Sequence, residues 1–264
     1  MNRSPLMTVM IRAANKAGRS LRHDFGEVEN LQVSRKGPAD FVSAADRAAE
    51  KILLDELSRV RPDFGWLGEE TGSRNENAET RWIVDPLDGT TNFLHGLPHF
   101  SVSIAVEHKG SLIAGVIYDP IRDETFCAEK GKGAFLNNRR LHVSARDKQA
   151  DLLLATGAPL LGRGDHSCFL GQLDCVIART SGVRFFGSAA LDLAYVAAAR
   201  YDGFWGEGLY IWDIAAGVVL VREAMGKVSG LDGGNFNVRS GDILANNNLS
   251  HDTIIGMVQK KLKD

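Results

Sequence analysis

The chain has 264 residues, 44% of them apolar and 24% charged, with a formal net charge of −2. That is enough for one large domain or two tightly joined ones with real cores, and the near-neutral balance gives no electrostatic reason to expect nucleic acid or a membrane surface. No apolar run approaches the roughly 20 residues a membrane helix needs. Cys127, Cys168 and Cys175 are an odd set without CxxC spacing, so buried thiols in a reducing, cytoplasmic setting are expected rather than disulfides or a zinc site.

Between Arg3 and Arg22 stand five basic residues and no acid. A transit peptide has this bias, and so does an amphipathic helix. Leu6, Val9, Met10, Ala13, Ala14 and Ala17 recur on one helical face, which favours a first helix of the domain. Gly26 to Ala39 is polar and turn-rich, an irregular hairpin or loop. A second helix is predicted from Ser43, with Asp46 three residues on in a capping-box-like arrangement and Ala45, Ala48, Ala49, Ile52, Leu53 and Leu57 on its apolar face. Trp82 to Val84 reads as a short strand that stops at Asp85. The alternation in Ser101–Glu107 and Leu112–Tyr118, with the return at Glu124–Ala128 after an Asp119-Pro120 turn, predicts an antiparallel meander.

Beyond about residue 145 short strands alternate with helices. Strands are predicted at Leu152–Ala155, Val183–Phe186, Gly203–Trp205, near Lys227 and at Ile243–Asn246. Helices are predicted at Cys168–Arg179, Ala189–Ala199, Trp212–Glu223 and Ser250–Leu262. The expected architecture is an α+β half, residues 1–145, followed by a smaller α/β half, residues 146–264, with a cleft between them. Arg139, Arg140, Arg146 and Lys148 form a modest basic patch that reads as a solvated turn. His95 and His99 lack a partner at a ligand spacing and read as packing or loop residues.

The chemistry concentrates in Trp82–Phe93, WIVDPLDGTTNF. Asp-Pro or Asp-Gly alone marks a solvated turn. Here both stand directly after an apolar run, and Pro86 stiffens the turn between Asp85 and Asp88. Two carboxylates on a stiff turn suit Mg²⁺, which demands near-octahedral oxygen ligands. Gly89 lets backbone pass close to a ligand, and Thr90 and Thr91 offer hydroxyls and amides at the start of a helical turn, where phosphate binds well.

WIVDPLDGTTNF resembles the signature of the inositol monophosphatase family, and the family's other motifs follow in order along nearly the whole chain. They are Asp40–Asp46 (DFVSAAD), Gly68-Glu69-Glu70, Gly187-Ser188-Ala189-Ala190 and Trp212-Asp213-Ile214-Ala215-Ala216-Gly217. The resemblance implies a layered αβαβα fold and a Mg²⁺-dependent phosphomonoesterase, lithium-sensitive and homodimeric, that uses metal-activated water. It implies a first ion on Glu69, Asp85 and the Leu87 carbonyl, a second on Asp85, Asp88 and Asp213, and a weaker third reached by Glu69, with Glu70 outside the set. Asp46 and Thr90 would be catalytic, Asp46 polarising the Thr90 hydroxyl. Gly89, Thr90, Ser188 and Ala189 would meet the substrate. Lys36 resembles a lid lysine of the family; a solvated surface lysine fits it equally.

One departure bears on the substrate. Inositol-selective members place a glutamate seven residues before the last metal aspartate, whereas here that position is Gly206 and Glu207 stands six before Asp213. Either the loop shifts by one so that Glu207 binds substrate hydroxyls, which the flanking Gly206 and Gly208 permit, or the hydroxyl-binding acid is absent. Inositol-1-phosphate is the expected substrate, with histidinol phosphate, a 3′-phosphonucleotide or fructose bisphosphate as same-chemistry alternatives. Some bacterial relatives also have a protein-binding role in transcription or RNA processing, so a contact with RNA polymerase is the alternative of another class.

Overall fold

The computed structural model describes residues 3–27, 33–35, 41–159 and 165–259. Lys36, Asp40 and the end of the predicted last helix at Leu262 lie outside the described residues. Helix α1 (Pro5–Phe25) begins where the Ser4 hydroxyl accepts the Met7 amide at 3.1 Å and Pro5 fills a position that needs no N–H. Its buried face carries Met7, Met10, Ile11, Ala13, Ala14, Ala17 and Leu21, while Leu6 and Val9, expected there, are half-buried. Strands β1 (Val33–Arg35) and β2 (Phe41–Ser43) pair antiparallel. Helix α2 (Ala44–Val60) then buries Ala45, Ala49, Leu53 and Leu57 against α1. Ala48, predicted on that face, is exposed, and Glu50 is buried instead.

Eight strands form the large sheet: β3 (Gly65–Gly68), β4 (Gly72–Arg74), β5 (Thr80–Asp88), β6 (Ser101–His108), β7 (Ser111–Asp119), β8 (Glu124–Glu129), β9 (Gly133–Leu136) and β10 (Arg139–Arg140). Their spatial order is β10-β9-β8-β7-β6-β5-β3-β4. The predicted meander is present as β6, β7 and β8, extended by β5 on one side and by β9 and β10 on the other. Strand β5 continues past Val84, where the sequence reading ends it, because pairing resumes at Asp88 opposite Ser101. Helix α3 (Thr90–Leu94) follows it directly.

The small sheet has five strands: β11 (Leu153–Thr156), β12 (Gly182–Arg184), β13 (Gly203–Gly206), β14 (Lys227–Ser229) and β15 (Ile243–Asn246), in the order β12-β11-β13-β15-β14. Helices α4 (His166–Ile177), α5 (Ala189–Ala197), α6 (Ile211–Glu223) and α7 (His251–Val258) alternate with them. Strand β11 runs parallel to β12 and β13, while β15 is antiparallel to β13 and β14. The expected strand over Val183–Phe186 stops at Arg184, because Asn92 takes the Phe186 carbonyl at 2.6 Å and draws the chain toward α3.

Three apolar cores make this a five-layer αβαβα sandwich. Met10, Leu53, Trp82 and Val116 fill the space between α1, α2 and the large sheet. Ile83, Ile117, Leu191, Val218 and Ala245 join both sheets through α5 and α6. Leu154, Trp205, Leu244 and Ile254 sit under α4 and α7.

The middle layer is close because Gly115 in β7 has no side chain. A Cβ there would lie 2.6 Å from the Ala216 carbonyl oxygen and 2.9 Å from its Cα, backbone atoms that no rotamer change can move. Gly115→Ala is therefore expected to push α6 off the sheet and to cost about 1–3 kcal/mol. Thermal unfolding and turnover of the variant, measured side by side, check this, and wild-type values for both would contradict it.

Candidate active site

Parallel pairing of β3 with β5 sets Gly68 beside Val84, so the next residues, Glu69 and Asp85, come side by side at the end of that ladder. The Glu69 amide donates to the Val84 carbonyl at 3.2 Å. Between Asp85 and Asp88 the β5–β6 pairing slips by one residue, since Asp85 faces Ser103 and Asp88 faces Ser101. In a regular strand residues three apart point to opposite faces; the extra residue of the bulge breaks that alternation, and Pro86 sits where no ladder N–H is needed. Both aspartates thereby line one cavity of about 460 Å³. The Leu87 amide folds back onto Asp85 Oδ1 at 2.9 Å.

Helix starts bring the remaining acids. Asp213, in the first turn of α6, accepts the Tyr210 amide at 2.8 Å. Ser103, opposite Asp85, donates its hydroxyl to the Trp212 carbonyl at 3.2 Å and so fixes that helix start next to β5. Asp88 Oδ2 accepts the Ser188 hydroxyl and the Ala190 amide, tying β5 to the start of α5. Asp46, in the first turn of α2, stands 3.5 Å from the Thr90 hydroxyl, which also donates to the Leu87 carbonyl at 2.9 Å. Ligand-capable oxygens of Asp46, Glu69 and Glu70 lie within 4.8 Å of one another. Glu70, kept outside the metal set by the sequence reading, thus belongs to the same acidic group.

The cavity brings together Glu69, Asp85, Leu87, Asp88, Gly89, Thr90, Ser188, Ala189, Glu207 and Asp213. Gly89 has φ +96°, and a Cβ there would lie 3.0 Å from the His99 carbonyl oxygen, so glycine is required at this turn. Gly206 is buried, and a Cβ there would meet Leu209 at 2.7 Å. Glu207 is the acid on the cavity wall, where Gln172 donates to it at 2.7 Å while accepting the Trp205 indole N–H at 3.0 Å. His99 is buried against Phe186 and Tyr195, and burial together with Arg122 pushes its imidazole down to about 4, so it is a neutral packing residue as expected. His95 is exposed. Of the three free cysteines, Cys127 and Cys175 are buried and Cys168 is only half-buried.

Three participants escaped the sequence reading. Glu50, fully buried in α2, was not singled out in the sequence. Asn92 holds the carbonyls of His99 at 2.8 Å and Phe186 at 2.6 Å, closing the cavity rim. Asp192 is buried in α5 on the cavity side, and burial and then Asp88 raise its carboxyl well above the ordinary range. The available signal for Asp192 was a lone acid inside the apolar run Ala189–Ala197.

The donor set tests which ion would fit. Carboxylates and a carbonyl, without thiolate or imidazole, are the hard ligands that Mg²⁺ and Ca²⁺ prefer. Burial, and then repulsion from Glu69, Asp88, Asp213 and Asp46, hold Asp85 well above the ordinary carboxylate range. Burial likewise raises Asp88 to about 6, against hydrogen bonds from Ser188 and the α5 amides. Gathered acids under this strain are what a bound cation relieves. A carboxyl whose folded pKa is raised contributes stability below its unfolded pKa and loses it as pH rises through the folded value. In chelator the melting temperature is therefore expected to fall by roughly 5 °C or more between pH 5 and pH 8, and Mg²⁺ should abolish most of that fall. A pH-independent melting temperature in chelator would contradict it.

The chain matches the model of the inositol monophosphatase family over residues 2–263. It is 57% identical to an inositol-1-monophosphatase of Mesorhizobium japonicum, with 99% of each chain covered. It is 41% identical to a Nus factor SuhB of Pseudomonas aeruginosa over 98% of this chain and 97% of that one. The crystal structure of the extragenic suppressor protein SuhB from Bartonella henselae superposes with a TM-score of 0.95 at 56% identity, covering 98% of this chain and all of that one. The inositol monophosphatase family is one of metal-dependent phosphomonoesterases, and the acids gathered here from strand ends and helix starts fit that class. This chain belongs to the inositol monophosphatase family. Among the described residues no helix is long and apolar enough to cross a membrane.

Proposed function

We propose that this chain hydrolyses a small polyol phosphate, inositol-1-phosphate first among them, in a Mg²⁺-dependent reaction in the cytoplasm. The observation that carries this reading is the convergence of Glu69, Asp85, Asp88 and Asp213 on one cavity that also holds Glu207. Glu69, Asp85 and the Leu87 carbonyl would hold one ion, and Asp85, Asp88 and Asp213 a second, with a third, weaker one near Glu69. Two such ions supply Lewis acidity toward phosphoryl oxygens and lower the pKa of water. The protein's own share is orientation and proton handling. Thr90, between Asp46 and the Leu87 carbonyl, passes a proton from the attacking water toward Asp46. The amides of Gly89, Thr90 and Ala189 meet the phosphate, and the Ser188 hydroxyl steadies Asp88 at its edge. Glu207, oriented by Gln172, binds ring hydroxyls.

The test is phosphate release with Mg²⁺ over inositol-1-phosphate, histidinol phosphate, a 3′-phosphonucleotide and fructose bisphosphate, with lithium as inhibitor. Preference for inositol-1-phosphate, lost on Glu207→Ala, supports the reading; release without Mg²⁺ or a clear preference for another substrate would overturn it. The Nus factor name of several relatives at 40–42% identity favours a second reading, contact with RNA polymerase by a homodimer. Co-purification with RNA polymerase tests it independently of turnover.

A further inference from the structure

Glu50 is fully buried in α2, one helical turn from Asp46. A buried carboxylate is costly to keep in the interior, and none of the hydrogen bonds it accepts closes α2 itself. All of them go to the turn after β3. Glu50 Oε2 accepts the Glu70 amide at 2.9 Å, and Oε1 accepts the Thr71 amide at 3.2 Å and the Thr71 hydroxyl at 2.7 Å. The Trp66 indole donates to the same Thr71 oxygen at 3.0 Å. Gly68 makes room for this, since a Cβ there would stand 1.9 Å from Glu50 Oε1. The residue held between these anchors is Glu69, whose own amide is fixed to the Val84 carbonyl.

We propose that Glu50 is a positioning residue for metal binding: it locks the Glu69–Thr71 turn so that the Glu69 carboxylate meets Asp85 in the geometry a small divalent cation demands. The inference rests on the metal-dependent reading above. A turn loosened by a fraction of an ångström still folds but offers Mg²⁺ a poorer site, because this ion tolerates little departure from octahedral geometry. Partners behind a ligand typically govern metal affinity by roughly 10–100-fold.

Glu50→Gln keeps the size of the side chain but replaces one acceptor oxygen with an NH₂ that faces an amide N–H. Thr71→Val removes only the hydroxyl, from an exposed residue, and carries the test should the first variant fail to fold. Mg²⁺ binding is measured by calorimetry, together with the Mg²⁺ dependence of turnover and the melting temperature in chelator. Glu50→Gln should raise the half-saturating Mg²⁺ concentration by roughly 10–100-fold, with turnover largely recovered at saturating Mg²⁺, and Thr71→Val should do so less. Unchanged Mg²⁺ affinity in folded variants, or a loss of turnover that excess Mg²⁺ does not restore, would overturn the assignment. Absence of Mg²⁺ binding in the wild type would instead overturn the metal-dependent reading itself.

Discussion

Asp85→Asn is expected to lower Mg²⁺-dependent phosphate release by on the order of 10³-fold or more. Asp85 is the acid assigned to both ions, so the substitution removes charge from each at once. The backbone should hardly move, since asparagine retains an oxygen for the Leu87 amide that Asp85 Oδ1 now accepts at 2.9 Å. The same change should make the protein in chelator more resistant to heat at pH 8. Burial and four neighbouring acids disfavour the ionised Asp85 carboxylate, and a neutral amide escapes that penalty. Loss of activity with a gain in metal-free stability is a pairing that simple misfolding cannot produce. Wild-type activity, or a variant less stable than wild type in chelator, would remove Asp85 from the centre of the site.

The second large effect lies outside the cavity. Asp202 is fully buried, where its carboxylate accepts the Ser144 hydroxyl, the Arg146 guanidinium at 2.9 Å and the Leu153 amide at 2.7 Å. Its carbonyl accepts the Asn247 amide at 3.0 Å, and the Asn247 side chain returns to the Arg146 carbonyl at 2.7 Å. One residue thus joins the link between the sheets to β11 through its side chain and, through its carbonyl and Asn247, to the end of β15. Asp202→Ala leaves the Leu153 amide and the Ser144 hydroxyl short of partners in the interior, each at about 1–3 kcal/mol. A loss of roughly 3–5 kcal/mol is expected in urea unfolding, with Mg²⁺ affinity of the folded protein unchanged. A loss below about 1 kcal/mol would show that water replaces the carboxylate there.

The contrast between these two aspartates shows what the sequence discloses. Asp85 is legible because proline, glycine and threonine crowd around it in one string, and each has a local reason to be there. Asp202 stands in an unremarkable Tyr-Asp-Gly turn, and the partners of its carboxylate lie 49 to 58 residues away. Strands β6, β7 and β8 were legible from alternation. Strands β3 and β4 were not, because three or four residues rich in glycine carry no period. The bulge in β5 was hidden for a related reason: Pro86 looked like an end to the strand, whereas the ladder resumes two residues later. Glu50 was hidden by its residue type rather than by its position. Its spacing from Leu53 and Leu57 puts it on the buried face of α2, but a carboxylate is kept there only because a distant turn supplies its donors.

The close seat of α6 on β7 through Gly115 also bears on how the chain is made. The face of the large sheet that α6 covers is built from strands complete by residue 140, yet its lid is Ile211–Glu223. A chain growing from its N-terminus must hold an unfinished apolar surface while some seventy further residues (from 141 to 210) are added. The first half can close its core between α1, α2 and the sheet, but the sheet's other face stays bare and invites association with other nascent chains until α6 arrives. Because the same helix delivers Asp213, the last carboxylate reaches the cavity in the step that seals the core, and only a chain synthesised past that point has the whole set of acids in place.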